Sequence, residues 1–139
     1  MSADAAETPR TGGCLCGQVR YTAPRRLIAT AVCHCRNCQR QAGTAFSVIA
    51  IVPRDRLAIE GQVQVFEDRG DSGLPVWRSF CGRCGSPILT NTPGAREQGV
   101  IYLKAGTLDD VADLQPTSHV WTRSRQPWLD LPEGVRIQE

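Results

Sequence analysis

Seven cysteines are the residues of this chain with chemistry to offer: Cys14, Cys16, Cys33, Cys35, Cys38, Cys81 and Cys84. They fall into three clusters, C-L-C, C-H-C-R-N-C and C-G-R-C. Thiols two or three residues apart are poor disulfide partners because so short a loop strains the bridge, and an odd number cannot pair off completely. Thiolates that close together repel unless a cation holds them. Metal binding is the economical reading, and zinc suits thiolate donors without bringing redox chemistry of its own.

Counting sorts the clusters. A structural zinc takes four ligands. With clusters kept whole, only C-L-C plus C-G-R-C makes four, so Cys14, Cys16, Cys81 and Cys84 are expected to share one closed structural site. Residues i and i+2 of a strand face the same way, which makes Cys14 and Cys16 one claw. Gly82 and Gly85 allow the tight turn of a zinc knuckle around the second. Cys33, Cys35 and Cys38 are left with three sulfurs and an open position, the ligand pattern of a catalytic zinc. The alternative for this triple is a second structural zinc completed by a histidine. His34 points away from the metal of its neighbours on an extended strand, whereas His119 is remote in sequence and could fold in.

To position these clusters the chain must supply short strands and tight turns. Residues 14–23 alternate Leu15, Gly17, Val19 and Tyr21 against Cys16, Gln18, Arg20 and Thr22, a period of two. Residues 28–33 and 45–52 read as two more strands, the second ended by Pro53. Residues 57–60 and 63–66 flank Gly61-Gln62 as a hairpin. Residues 76–80 lead into C-G-R-C, and 100–105 form a further strand. Helix is confined to a turn or two at Arg36–Ala42 and a short piece at 109–114. The 139 residues suit one domain, expected over 12–139 behind a disordered segment at 1–11. The fold class is mainly β, a small zinc-stabilised domain with few short helices.

Charged residues at 22% and apolar residues at 41% exclude a disordered or membranous chain. The polar first residues lack the apolar region of a signal peptide, so the cytoplasm is the expected location. Seven thiolates and two divalent ions bring the formal charge from +2 to about −1, and aromatics are 6%. Neither a basic stripe nor a stacking platform is present, and no nucleic-acid partner is expected.

The motifs G-G-C-L-C-G-Q-V-R-Y, C-H-C-R-N-C-Q-R-Q-A-G-T-A-F, S-F-C-G-R-C-G-S-P-I and G-T-L-D-D…P-T-S-H-V-W resemble those of the glutathione-dependent formaldehyde-activating enzymes, a family grouped with centromere protein V. The resemblance runs from Gly12 to Trp128 and includes all seven cysteines. It implies a β-tent fold of the Mss4-like group. It also implies a structural zinc on Cys14, Cys16, Cys81 and Cys84 and a catalytic zinc on Cys33, Cys35 and Cys38, two ions per chain. The implied reaction is of carbon–sulfur lyase type, addition of glutathione to formaldehyde to give S-hydroxymethylglutathione. A small-molecule thiol and an aldehyde are thus the expected partners.

Beside the triple, Gln39, Gly43, Thr44 and Ser47 are candidates to line the open position, with hydroxyls of Thr44 and Ser47 able to donate to an alkoxide. Arg36, Arg40, Arg123 and Arg125 could pair with glutathione carboxylates. Turn chemistry and solvated surface charge are the plainer readings of these residues. Trp77, Trp121 and Trp128 read as packing, and Asp109-Asp110 as a helix start. Two other function classes remain open: a non-catalytic zinc module, which needs a fourth protein ligand on the triple, and a redox or metal-handling protein whose triple oxidises.

Overall fold

Eleven short strands build two sheets among residues 7–139, the part of the chain described by this computed structural model. The small sheet has the order β1 (Arg10–Gly13), β2 (Arg20–Ala23), β5 (Ala58–Glu60), all antiparallel. The large sheet contains β3 (Ala29–Cys33), β4 (Ser47–Pro53), β6 (Val63–Arg69), β7 (Pro75–Cys81), β8 (Pro87–Asn91), β9 (Val100–Lys104), β10 (Ser118–Val120) and β11 (Arg136–Gln138). Its order is β11-β10-β3-β4-β9-β8-β7-β6. Pairing is antiparallel except at β10, which runs parallel to both β3 and β11. Among the described residues two helices, α1 (Arg36–Ala42) and α2 (Pro93–Gln98), and three single 3-10 turns accompany the strands. The fold is mainly β, as the sequence predicts, and no helix among the described residues is long and apolar enough to cross a membrane.

Register gives the large sheet two unlike faces, because residues directly opposite one another project to the same side. Ala50 stands opposite Leu103, and Leu103 opposite Leu89. This row is buried against Val19, Tyr21 and Ala23 of the small-sheet side to make the core. Leu103 is completely buried, so truncation to alanine costs about 2–5 kcal/mol. On the other side Cys33 stands opposite Ser47, Ile49 opposite Lys104, Tyr102 opposite Thr90, and Thr90 opposite Arg78. That second face is polar although Ser47, Lys104, Thr90 and Arg78 are all buried.

Several expected elements differ. Residues 1–6 of the segment expected to be disordered lie outside the described residues. Its end is ordered, for Arg10 is buried in β1 and its guanidinium pairs with Asp113 at 2.6 Å. The strand expected over 14–23 begins only at Arg20. Cys14 to Val19 instead forms a tight loop, closed by Cys14 N donating to Val19 O at 3.0 Å, with Gly17 at φ +84°. The loop wraps around a sulfur in place of extending the strand, since Val19 N also donates to Cys14 Sγ at 3.2 Å. The Gly61 turn joins no hairpin: β5 leaves it for the small sheet and β6 for the large one. Gly61 sits at φ +91° against the Gln18 carbonyl, where a Cβ would lie 2.1 Å from that oxygen.

Residues 109–114 form no helix, because Asp109 is drawn to β1 by its amide bond to Thr11 O and its carboxylate bond to the Thr11 hydroxyl. Helix α2 was not anticipated, yet its signals are present: Thr92 as N-cap to Ala95 N, Pro93 at the first position and Gly99 in the left-handed C-cap.

Candidate metal centres

The closed cluster joins two tight loops. Cys14 and Cys16 sit on the loop before β2, and Cys81 to Cys84 on the knuckle after β7. In the knuckle Gly85 N donates to Cys81 O at 2.8 Å with Gly85 at φ +82°, and Arg83 N donates to Cys81 Sγ at 3.4 Å. The four sulfurs lie within 4.8 Å of one another. Cys14 and Cys16 are 3.6 Å apart and Cys16 and Cys81 3.8 Å, close to the edge of about 3.8 Å that a tetrahedron with zinc–sulfur bonds of about 2.3 Å requires. Spacing and donor chemistry fit a four-coordinate zinc. Ser86 supports the site twice: its Oγ accepts from Leu15 N at 3.0 Å and lies 3.3 Å from Cys84 Sγ. The Ser86 hydroxyl and amide hold the Cys84 thiol down to about 5.

The second cluster is built locally. Cys33 ends β3, Cys35 is the N-cap of α1, and Cys38 lies in its first turn with its amide donating to Cys35 Sγ at 3.2 Å. A cysteine thus takes the capping role usual for serine or aspartate. Helix α1 crosses the polar face of the large sheet: Asn37 Nδ2 reaches Asp68 of β6 at 3.1 Å, and Arg78 Nη1 of β7 lies 3.8 Å from Cys38 Sγ. The three sulfurs are mutually within 4.8 Å, and no fourth cysteine, histidine or carboxylate joins them among the described residues. Three soft donors at this spacing fit a zinc with one position left for another ligand.

Neither histidine completes the triple. His34 is fully buried, and its Nε2 lies 2.9 Å from His119 Nδ1, the rings stacked at 5.1 Å. The partner expected to be able to fold in is therefore used by the other histidine. Burial lowers both imidazoles, with His119 and Arg125 adding to the effect on His34.

Two charged residues that sequence reasoning missed face the triple. Lys104 is buried at the end of β9 and donates from Nζ to Ser47 Oγ at 2.8 Å. Arg78, also buried, donates from Nε to Asp68 Oδ2 at 3.0 Å besides touching Cys38. Contacts from Cys33 and Cys35, helped by Lys104 and Arg78, hold Cys38 down to about 2. Cys35, Cys38 and burial push Cys33 upward.

Of the five substrate-binding candidates, Ser47 stands beside the sulfurs, directly opposite Cys33, and the other four share a groove. Arg36, Gln39, Arg40 and Thr44 line an open groove of about 450 Å³ together with Gly43, Ala45, Gln126 and Trp128. At about 100° per residue, Arg36 and Arg40 each project about 160° from Cys38 around α1, so this groove opens across the helix from the cluster. Gln39 is buried and its amide is fully used. Nε2 donates to the carbonyls of His34 and Ser124 at 2.8 and 2.9 Å, while Oε1 accepts from Arg36 and Gln126. It positions the ligand loop. Ser47 is outside the groove and buried against Lys104. Arg123 and Arg125 line a separate depression with Leu131 and Ile137.

Comparison with known proteins places this geometry. The family model described as "Glutathione-dependent formaldehyde-activating enzyme" matches residues 9–124. Proteins of Aspergillus flavus and Aspergillus oryzae, both provisionally named as glutathione-dependent formaldehyde-activating enzymes, are each 29% identical over 78 residues, 55% of this chain and 40% of theirs. A Podospora anserina protein named in the same way is 29% identical over 77 residues, 54% of this chain and 36% of its own length. The match thus spans well under half of these curated relatives. The crystal structure of a Rhodobacter sphaeroides protein superposes with a TM-score of 0.57 at 17% identity, covering 74% of this chain and 91% of that one. At that identity the likeness is one of fold.

Proposed function

Because the chain belongs to the glutathione-dependent formaldehyde-activating enzyme family, we propose that it promotes addition of a thiol, glutathione first, to formaldehyde or a related small aldehyde. Cys33, Cys35 and Cys38 would hold the catalytic zinc and Cys14, Cys16, Cys81 and Cys84 a structural one. A zinc bound by three thiolates supplies a position where an incoming thiol loses its proton more readily.

The chain's own residues do the rest. Cys35 caps α1 and Gln39 ties the loop at His34, so the three sulfurs are fixed before any ligand arrives. Lys104 and Arg78 offset the negative charge that the sulfurs and Asp68 bring, which leaves the anionic form of a thiol less disfavoured there. In the addition the sulfur lone pair forms the C–S bond and the carbonyl π pair moves to oxygen. The oxygen then takes up the proton that the thiol lost. Arg36 and Arg40, in the groove across α1, are assigned to a carboxylate end of the thiol substrate.

The observation that most supports an enzyme over a non-catalytic zinc module is the lack of a fourth ligand among the described residues, with both histidines engaged with each other. The test is NMR exchange spectroscopy of glutathione and formaldehyde with and without the zinc-loaded protein. Faster exchange between free and hydroxymethylated glutathione is expected, and an unchanged rate overturns the reading.

A further inference from the structure

Lys104 is a buried lysine without a carboxylate. Its side chain lies under the polar face of the large sheet, 6% exposed, and among the described residues its one hydrogen bond goes to the neutral hydroxyl of Ser47. Lysines are almost never fully buried unless paired, because removing an ammonium from water costs several kcal/mol. The negative groups facing it are the sulfurs of Cys38, Cys33 and Cys35. Arg78, two strands further along the same face, shares its guanidinium between Asp68 and Cys38. The closed cluster has no buried cation of this kind among the described residues: its sulfurs meet backbone amides, Gln18 and Ser86, and the arginine that interacts with Cys14, Arg20, is exposed.

Charge arithmetic gives the arrangement a purpose. Three thiolates and a divalent ion leave a surplus of one negative charge, and the Asp68 carboxylate adds another. Lys104 and Arg78 cancel both. We infer that Lys104 and Arg78 are positioning residues that neutralise the three-thiolate cluster and thereby set how tightly it retains a divalent metal. The inference rests on the proposed function only in taking Cys33, Cys35 and Cys38 as a metal site; it does not depend on the substrate.

The experiment is chelator competition on the full chain loaded with two equivalents of Zn²⁺, read as metal transferred rather than as activity. Loss of one equivalent in Cys38→Ser assigns that equivalent to the triple. Lys104→Met keeps length and apolar bulk but removes the charge. It is expected to weaken the triple's equivalent by about tenfold or more, the scale of one nearby charge at an effective dielectric of about 20, and to leave the other equivalent unchanged. Lys104→Arg is expected to restore retention.

Equal retention in Lys104→Met, or an arginine variant as weak as the methionine one, overturns the inference while leaving the metal site standing. A wild-type chain that binds a single equivalent overturns the metal site itself. Should Lys104→Met fail to fold, Arg78→Gln tests the same charge from another strand, with the same expected direction.

Discussion

The two sulfur clusters use the same donor atom and are held in opposite ways. The closed one draws its halves from loops 65 residues apart between Cys16 and Cys81, and its Cys14 and Cys81 belong to the core. The three-sulfur one comes from a six-residue stretch, Cys33 to Cys38, lying on the polar side of the sheet. Amides and hydroxyls surround the first; a lysine and an arginine surround the second. A staple gains most when it closes a long loop and sits in the core. A reactive site needs a local frame that survives loss of the metal and charges that favour an anion. Sulfur alone does not distinguish them, but the surroundings do.

The largest effect expected from this contrast is on folding. Cys84→Ser or Cys14→Ser removes a ligand from the closed cluster. Structural zinc contributes about 10–16 kcal/mol in small zinc peptides, as much as the whole stability of an ordinary domain. Circular dichroism and thermal melting are expected to show a chain unfolded at 37 °C. Retention of a cooperative melt near the wild-type midpoint would erase the distinction between the clusters.

Cys38→Ser is the counterpart. Metal content is expected to fall from about two equivalents to one, and any acceleration of thiol addition to vanish, while the melt stays within a few degrees of wild type. Inductively coupled plasma analysis beside the exchange assay reads both. Global unfolding of this variant would make the triple a second staple.

The division of the cysteines was legible because it follows from counting: four donors close a zinc, and only one pairing of whole clusters gives four. Mainly β architecture was legible too, from the short extended runs at 28–33, 45–52, 76–80 and 100–105, whereas the one alternating stretch, 14–23, is strand only from Arg20. The environment of the triple was not, because Lys104 and Arg78 come from β9 and β7, and only sheet register carries them toward Cys33. One signal existed. Arg78 interrupts one apolar strand, V-W-R-S-F, and Lys104 ends another, V-I-Y-L-K, and a charge in such a strand calls for a buried partner. Proximity in sequence also left orientation open. Gln39, Arg36 and Arg40 adjoin Cys38, but the turn of a helix sends the arginines to its far side and the glutamine into backbone bonds.

That correction predicts a third, intermediate effect. Gln39→Ala leaves the carbonyls of His34 and Ser124 without their donor, at about 1–3 kcal/mol for each buried group left unpaired. A lowered denaturation midpoint is expected, with faster metal loss from the triple because the ligand loop is released. Arg40→Ala, on the groove, is expected to leave both unchanged. If Gln39→Ala were as stable as Arg40→Ala, the frame of the triple would not be local.

The smallest effect belongs to the closed side and asks whether charge matters there at all. Asp109 clasps the small sheet just before the Cys14 loop, accepting from Arg20 Nη2 at 2.5 Å and from the Thr11 hydroxyl at 2.6 Å. These contacts, Arg20 first, lower its carboxyl from 3.8 to about 2. A depressed folded-state value means that the unfolded chain binds the proton more readily. The stabilisation is therefore complete above about pH 4 and is lost as pH falls through 3.8 toward 2. Both side chains are nearly half exposed, so water and salt screen the pair. Asp109→Asn is expected to lower the melting temperature slightly at neutral pH, less so at high salt. The gap to wild type should close between pH 4 and pH 2. A gap that persists at pH 2, or one as large as that of Cys84→Ser at pH 7, would mean that this side too is held by charge, and the contrast between the clusters would lose its basis.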